Sequence, residues 1–278
     1  MTSLGRVAIV GAGQMGTMLG MALLESAEEV ALADADQEAV ETSLVRGAGQ
    51  RRIDVDEAVD SDAVILAVPV PEIVSLIERL GPNLREEALL IDTGGAKVAV
   101  VEAMRRHVPE GVHAIGGHPM AGTEIPGPEG ADPLLLRHAT FALTEVREDP
   151  IALLRATTLA EATGARPRVM DAVEHDLVVA RTSHLPHVVA YALAGLVRRL
   201  HDESVRDLAT SGFEGATRLA ASDPAMVAGF LRANSDQVRD SIRELRERLE
   251  KLEGALGDRD ALARLLEEDA EGLGKAGA

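Results

Sequence analysis

Residues 6–25, RVAIVGAGQMGTMLGMALLE, decide how the N-terminal half must fold. The run RVAIV reads as a buried strand, Gly11, Gly13 and Gly16 follow in G-x-G-x-x-G spacing, and an apolar helix begins at once. Glycines allow the tight turn and the close approach of a pyrophosphate, which then meets the N–H groups at the helix N-terminus. Gln14 and Met15 lie inside the turn and are assigned to the cofactor with the glycines. The second strand ends at Asp34, 18 residues beyond Gly16, where a carboxylate can accept hydrogen bonds from a ribose 2′-hydroxyl. Residues 35–37 are Ala, Asp and Gln, with no Arg or Lys for a 2′-phosphate, so NAD is expected rather than NADP. Val68, Pro69 and Asp92, at the ends of later strands, complete the expected cofactor-binding set.

Outward from this turn, short aliphatic runs alternate with helical stretches to about Val146, the pattern of a parallel-rich α/β Rossmann sheet. Strands are expected at 6–10, 29–34, 63–68, 88–92, 113–116 and 139–144, with 166–171 as a last edge strand. Helices are expected at about 14–26, 37–46, 71–80, 96–106 and 151–163. Beyond Asp171 no strand signal recurs, and apolar residues repeat at helical spacing through 173–200, 204–221, 224–252 and 260–272. The expected organisation is a Rossmann domain over 1–171 and an all-α domain over 172–278. Val238, Ile242, Leu245, Leu249, Leu252 and Leu256 form a heptad-like seam flanked by Arg and Glu. It reads either as a face packed within its own domain or as a contact between two copies, and a homodimer is the expectation. The closing GLGKAGA reads as a frayed tail.

Composition narrows the chemistry. The chain has 278 residues, 46% hydrophobic, and a formal charge of −18, which argues against phosphate-backbone binding and hence against nucleic acid. One Tyr, three Phe and no Trp leave no platform for base stacking. An anionic ligand therefore requires a locally basic pocket. Cysteine is absent, which removes disulfides, thiolate nucleophiles and zinc-thiolate sites. Apolar runs such as 63–70 fall far short of the roughly 20 residues that span a bilayer. The strand pattern begins by Arg6, before a signal peptide fits, so no membrane contact and a cytoplasmic location are expected.

Two further strings stand at strand carboxyl ends, where open α/β sheets bind ligands: IDTGGAK (91–97) and GGHPMAGTE (116–124). Neutral imidazole at His118 can take a proton from a hydroxyl whose carbon gives up a hydride. A lone histidine in a glycine-rich loop reads equally as a turn-stabilising or surface residue. GGHPMAGTE, together with EHDLVVARTSHLPHVVAYAL (174–193) and SGFEGATRLAASDP (211–224), resembles the prephenate and arogenate dehydrogenases of tyrosine biosynthesis, in the same order and over nearly the whole chain.

That resemblance implies NAD-dependent oxidative decarboxylation of a cyclohexadienol carboxylate. It implies that His118 accepts the ring hydroxyl's proton and that Arg218 clamps a substrate carboxylate. Thr123 and Glu124 would line the substrate entrance, and Ser183 and His187 would face the pocket. Lys97 stands in the family's position without a chemical step, and Arg181 reads as local positive charge or as a solvated arginine. His184 and His187, one turn apart, lack a third ligand, so no metal is expected. Pro186 is expected to kink its helix. The chain departs from the family's pattern at Gly95, where a serine orients the histidine, and at Gly215 and Val227, where many relatives carry an acid and some an aromatic. Those departures leave prephenate, arogenate and a related ring acid open. The alternatives are a dehydrogenase of the same build acting on another carboxylic acid, such as a 3-hydroxy acid, and a catalytically silent NAD-binding regulator. Both chain ends are used by the two domains, so no fused mutase or regulatory domain is expected.

Overall fold

The computed structural model describes residues 4–198 and 208–271. β1 (Arg6–Val10) enters the glycine turn and α1 (Gln14–Leu23) leaves it. There follow β2 (Glu29–Ala33), α2 (Gln37–Val45), β3 (Arg51–Arg52), β4 (Ala63–Leu66), α3 (Val70–Leu80), β5 (Leu89–Asp92), α4 (Val98–His107) and β6 (His113–Pro119). β7 (Thr140–Glu145), α5 (Pro150–Ala162) and β8 (Arg166–Val169) close the sheet. α2 starts where Asp36 accepts hydrogen bonds from the Glu38 and Ala39 amides, a side-chain N-cap.

The eight strands run in the order β3-β2-β1-β4-β5-β6-β7-β8. All neighbours are parallel except β6 and β7. The order reverses between β1 and β4, so a crevice opens at their carboxyl ends, beside the glycine turn. Both faces are buried, as a parallel sheet requires. Val7 and Ile9 join Met18, Leu19, Phe141 and Leu159 on one side, while Ala8 and Val10 join Ile73, Ile77, Val100 and Met104 on the other. Each fully buried Val, Leu, Ile, Met or Phe side chain among these contributes roughly 1.5–3 kcal/mol, so packing on two faces rather than strand propensity fixes β1.

Four expectations need correction. β3 is a strand the sequence does not announce, because two exposed arginines pairing with Ala31 and Leu32 show no periodicity. β6 runs on to Pro119, so His118 sits within a strand, opposite Ala142 on β7, and not in a loop. The stretch 173–200 is not one helix: α6 (Ala172–Val179) passes through a π-helical turn, Ala180–His184, into α7 (Leu185–Val197). Pro186 therefore falls in the first turn of α7, where its missing N–H does least harm. The stretch 224–252 breaks at Asn234 into α9 (Pro224–Ala233) and α10 (Ser235–Ala255), because the Asn234 side chain is spent on tertiary hydrogen bonds to Asp176 and His184.

Before α9 come α8 (Ser211–Thr217) and a 3₁₀ turn, Arg218–Ala221. The expected helical residues 199–200, 204–207 and 272, and the GLGKAGA tail, lie outside the described residues. By compactness the chain divides into Met1–Asn234 and Ser235–Ala278, so α6 to α9 belong to the unit that holds the sheet. The strand signal stops near 171, but Asp176 on α6 bonds back to the Lys97 and Val98 amides, and Asn234 after α9 bonds in turn to Asp176 and His184. In the second unit α10 and α11 (Arg259–Glu271) are joined by Arg248, which donates to Asp269 at 2.8 Å and to the Leu265 carbonyl at 2.7 Å. Among the described residues no helix is long and apolar enough to cross a membrane.

Candidate active site

The glycine turn is built by backbone against backbone. Gly11 has φ +114°, and a Cβ there would lie 2.3 Å from the Ala67 carbonyl oxygen. A Cβ on Gly16 would lie 1.8 Å from the Gly11 carbonyl oxygen. Gly13 is different: nothing lies within 4 Å of its Cβ position, and it caps α1 without a side-chain hydrogen bond. The uncapped first turn of α1 thus faces open space, the arrangement that suits a pyrophosphate. Asp34 accepts the Ala12 amide at 2.6 Å and the Asp36 amide at 2.9 Å, which ties the end of β2 to the turn. A cleft of about 630 Å³ runs past Gly11, Gly13, Asp34, Val68 and Pro69.

The other residues expected at the cofactor are placed differently. Gln14 reaches across to the segment after β6, donating to Thr123 Oγ1 at 2.7 Å and to the Ile125 carbonyl at 2.6 Å while accepting the Thr123 amide at 2.9 Å. Met15 packs partly against the core. Asp92, expected to touch the cofactor, is wholly buried: it accepts the Gly94 amide at 2.7 Å, the Gly117 amide at 3.0 Å and the Lys97 ammonium. Lys97 is equally enclosed and donates also to the Gly117 carbonyl at 2.6 Å. Burial lowers its pKa, while the Asp92 and Asp176 carboxylates oppose that shift. This pair clamps the ends of β5 and β6 together at Gly117, the residue before His118.

His118 keeps an accessible face, and its Nδ1 lies 2.9 Å from His175 Nε2. His175 is buried on α6, with its own Nδ1 2.8 Å from Asp176 Oδ1. Asp176 accepts the Lys97 amide at 2.7 Å and the Val98 amide at 3.0 Å, so it caps α4 from another helix. The pKa of His118 is held well below 6.5, first by burial and then by the neighbouring His175, Lys97 and His184. At neutral pH its imidazole is uncharged. His184 stacks on Phe230 at 4.7 Å, donates through Nε2 to the Gly95 carbonyl at 3.1 Å and accepts Asn234 Nδ2 at 3.2 Å. Burial brings its pKa down to about 4. His187 donates through Nδ1 to the Ser183 carbonyl at 2.9 Å and meets Phe230 edge-on. Each of these two histidines thus has its hydrogen bonds inside the fold.

Arg218 and Glu124, assigned separately from sequence, form an ion pair. That pair brings the 3₁₀ turn after α8 to the loop leaving β6, with Arg218 largely exposed. Thr123 is exposed beside it, and Ser183 is half-buried.

Models of two known domains match the chain in series: the nucleotide-binding domain of prephenate dehydrogenase over residues 19–169, and its dimerization domain over 171–268. The chain belongs to the prephenate dehydrogenase family. Prephenate dehydrogenase from Lactococcus lactis is 30% identical over 264 residues, 93% of this chain and 73% of that one. Cyclohexadienyl dehydrogenase from Zymomonas mobilis is 29% identical over 268 residues, 94% and 91% of the two chains. A crystal structure of prephenate dehydrogenase from Aquifex aeolicus with hydroxyphenyl propionate and NAD+ covers 99% of this chain and 98% of its own, at 28% identity and a TM-score of 0.87.

Within the prephenate dehydrogenase family the departures at 95, 215 and 227 have distinct settings. A Cβ on Gly95 would sit 3.8 Å from His118 Nε2 and 3.7 Å from Phe230 Cβ, ordinary contact distances, so a serine there meets no obstacle. Gly215 is exposed with open space around its Cβ position, and Val227 is buried. His175, Asp176, Phe230 and Asn234 are members of the cluster that sequence reading does not single out. The first two stand in the quoted string EHD, and no local pattern distinguishes them from helix residues on a packed face.

Proposed function

We propose that this chain catalyses the NAD-dependent oxidative decarboxylation of prephenate or arogenate. The observation that carries the reading is the position of His118: a neutral imidazole at the carboxyl end of the sheet, its Nε2 turned to the space beside Gly95. The open glycine at 13, the uncapped N-terminus of α1 and Asp34 fit a dinucleotide without a 2′-phosphate. NAD, when bound, supplies the acceptor for the hydride that leaves the carbinol carbon. His118 accepts the proton of the ring hydroxyl as that C–O bond gains carbonyl character, and returns it to the phenol oxygen as carbon dioxide leaves and the ring becomes aromatic.

Arg218 holds a side-chain carboxylate of the substrate. A guanidinium offers five N–H donors, so its pair with Glu124 leaves several for a second carboxylate. Thr123, Glu124, Ser183 and His187 border the same pocket, and Gly95 leaves it wider than a serine does. Residues 1–171 form the cofactor half and carry His118, Thr123 and Glu124, while 172–278 add Arg218, Ser183 and His187 and a homodimer contact. The match of the dimerization-domain model and the exposed Leu249 and Leu256 of the seam support that contact.

The test is NADH absorbance with prephenate and with arogenate, each supplied with NAD and with NADP. Turnover of at least one ring acid, faster with NAD, is expected. NAD binding without turnover of either acid rejects the reading. Arg218→Ala is expected to raise KM for the acid at least about tenfold, the scale of a lost charged hydrogen bond, with kcat less affected.

A further inference from the structure

The unassigned residues of the histidine cluster form a directed chain. The carboxylate of Asp176 accepts two amides at the start of α4, so both its oxygens face donors, and His175 Nδ1, 2.8 Å from Oδ1, must carry a proton to bond it. In that Nδ1–H tautomer His175 has an acceptor at Nε2. His118 Nδ1, 2.9 Å away, must therefore be the donor in that contact. Two bonds from a carboxylate thus dictate where His118 holds its own proton, and the lone pair is left on Nε2, the ring nitrogen that faces the space beside Gly95. The opposite arrangement, with His175 Nε2–H donating, places the His118 proton on Nε2 and removes the base.

We propose that His175 and Asp176 are positioning residues for His118: they fix its Nδ1–H tautomer and its ring orientation, and so present Nε2 to the substrate hydroxyl. The geometry suits this role. His175 is 1% and Asp176 3% exposed, so water does not compete for the two bonds. The rings of His118 and His175 meet edge-on, 5.1 Å apart at 65°, so in-plane rotation of either one costs the hydrogen bond. Asp176 is itself held by the N-terminus of α4, whose partial positive charge favours the carboxylate as an acceptor. The pair also makes good what Gly95 lacks. A serine at 95, which the resemblance expects, would meet the imidazole on its Nε2 side, whereas His175 holds it on its Nδ1 side. An orienting carboxylate–histidine contact of this kind governs tautomer choice, and its loss lowers turnover while binding persists.

The inference rests on the proposed reaction for its consequence, but the tautomer has a readout of its own. Imidazole ¹⁵N shifts of the whole protein, with His118 identified by the resonance missing from H118N, are expected to show His118 protonated at Nδ1 and bare at Nε2. In H175L that preference is expected to vanish, with kcat falling at least about tenfold and KM and the NAD dissociation constant unchanged. In H175Q, whose side-chain oxygen can stand where Nε2 stood, kcat is expected to return to within about threefold of the parent. The proposal is overturned by an Nε2–H tautomer in the parent protein, by H175L turning over at the parent rate, or by H175L and H175Q losing cofactor affinity alike. If H175L fails to fold, H175Q and the parent resonance decide. A parent protein that shows the Nδ1–H tautomer yet oxidises neither ring acid defeats the proposed reaction and leaves the positioning pair standing.

Discussion

The glycine turn and the histidine cluster lie at the same end of one sheet but are made of different material. The turn is backbone: Gly11 and Gly16 are excluded from bearing a Cβ by carbonyl oxygens, and the α1 N-terminus faces the cleft. The cluster is side chain: His118 from β6, His175 and Asp176 from α6, His184 from the π turn, and Phe230 and Asn234 from the end of α9. A backbone site discriminates by shape and tolerates little change at single positions. A side-chain site tunes protons and fails by degrees.

Substitutions can break that contrast. The largest effect is expected from His118→Asn: kcat lower by about a hundredfold to ten-thousandfold, with the NAD dissociation constant unchanged, by steady-state kinetics and titration. A weakened NAD affinity in that variant merges the two regions into one. Next, His184 makes the cluster pH-sensitive. It is neutral in the fold with a pKa of about 4 and protonates near 6.5 when unfolded. Its contribution is thus complete above pH 6.5 and is lost as pH falls toward 4, a change of about 3 kcal/mol. Urea midpoints across that range should show the loss, and His184→Gln should flatten the slope; an unaltered slope removes His184 from the account.

Gly16→Ala probes the other side. The methyl must displace the Gly11 carbonyl, and overpacking on the scale of 1–3 kcal/mol is expected to raise the NAD dissociation constant roughly ten- to a hundredfold. Turnover at saturating NAD should stay near the parent value; a fall in kcat means that the turn also aligns the reacting atoms. The smallest effect belongs to Asp34→Ala, which is expected to narrow the preference for NAD over NADP by about tenfold. An unchanged ratio assigns Asp34 to holding Ala12 alone.

The same contrast explains what could be read in advance. The glycine spacing, the strand before it and Asp34 lie within one short stretch, and each has a single physical use there, so β1, α1 and the cleft follow from the chain directly. The sheet core follows from runs of aliphatic residues. Asp92 shows the limit: a carboxylate at a strand end faces a ligand in one fold and a buried lysine in another, and only the partner decides. His175 and Asp176 show it again, since their meaning comes from His118 and from the amides of Lys97 and Val98, far away along the chain. The break at Asn234 was equally hidden, because helical spacing continues through it on both sides. Single-element patterns announce themselves; convergence does not.

The π turn at Ala180–His184 has a consequence for how the second half of the site is aimed. A π turn holds one residue more than the α-helical turn it replaces, and each residue advances the helical screw by about 100°. Everything beyond it, Leu185 to His187 included, is thereby swung around the axis relative to α6. The ring of His184, the last residue of that turn, meets the Gly95 carbonyl. Deletion of one residue from 180–182 would restore an unbroken α-helix and, with no change to either histidine, turn both away from the sheet.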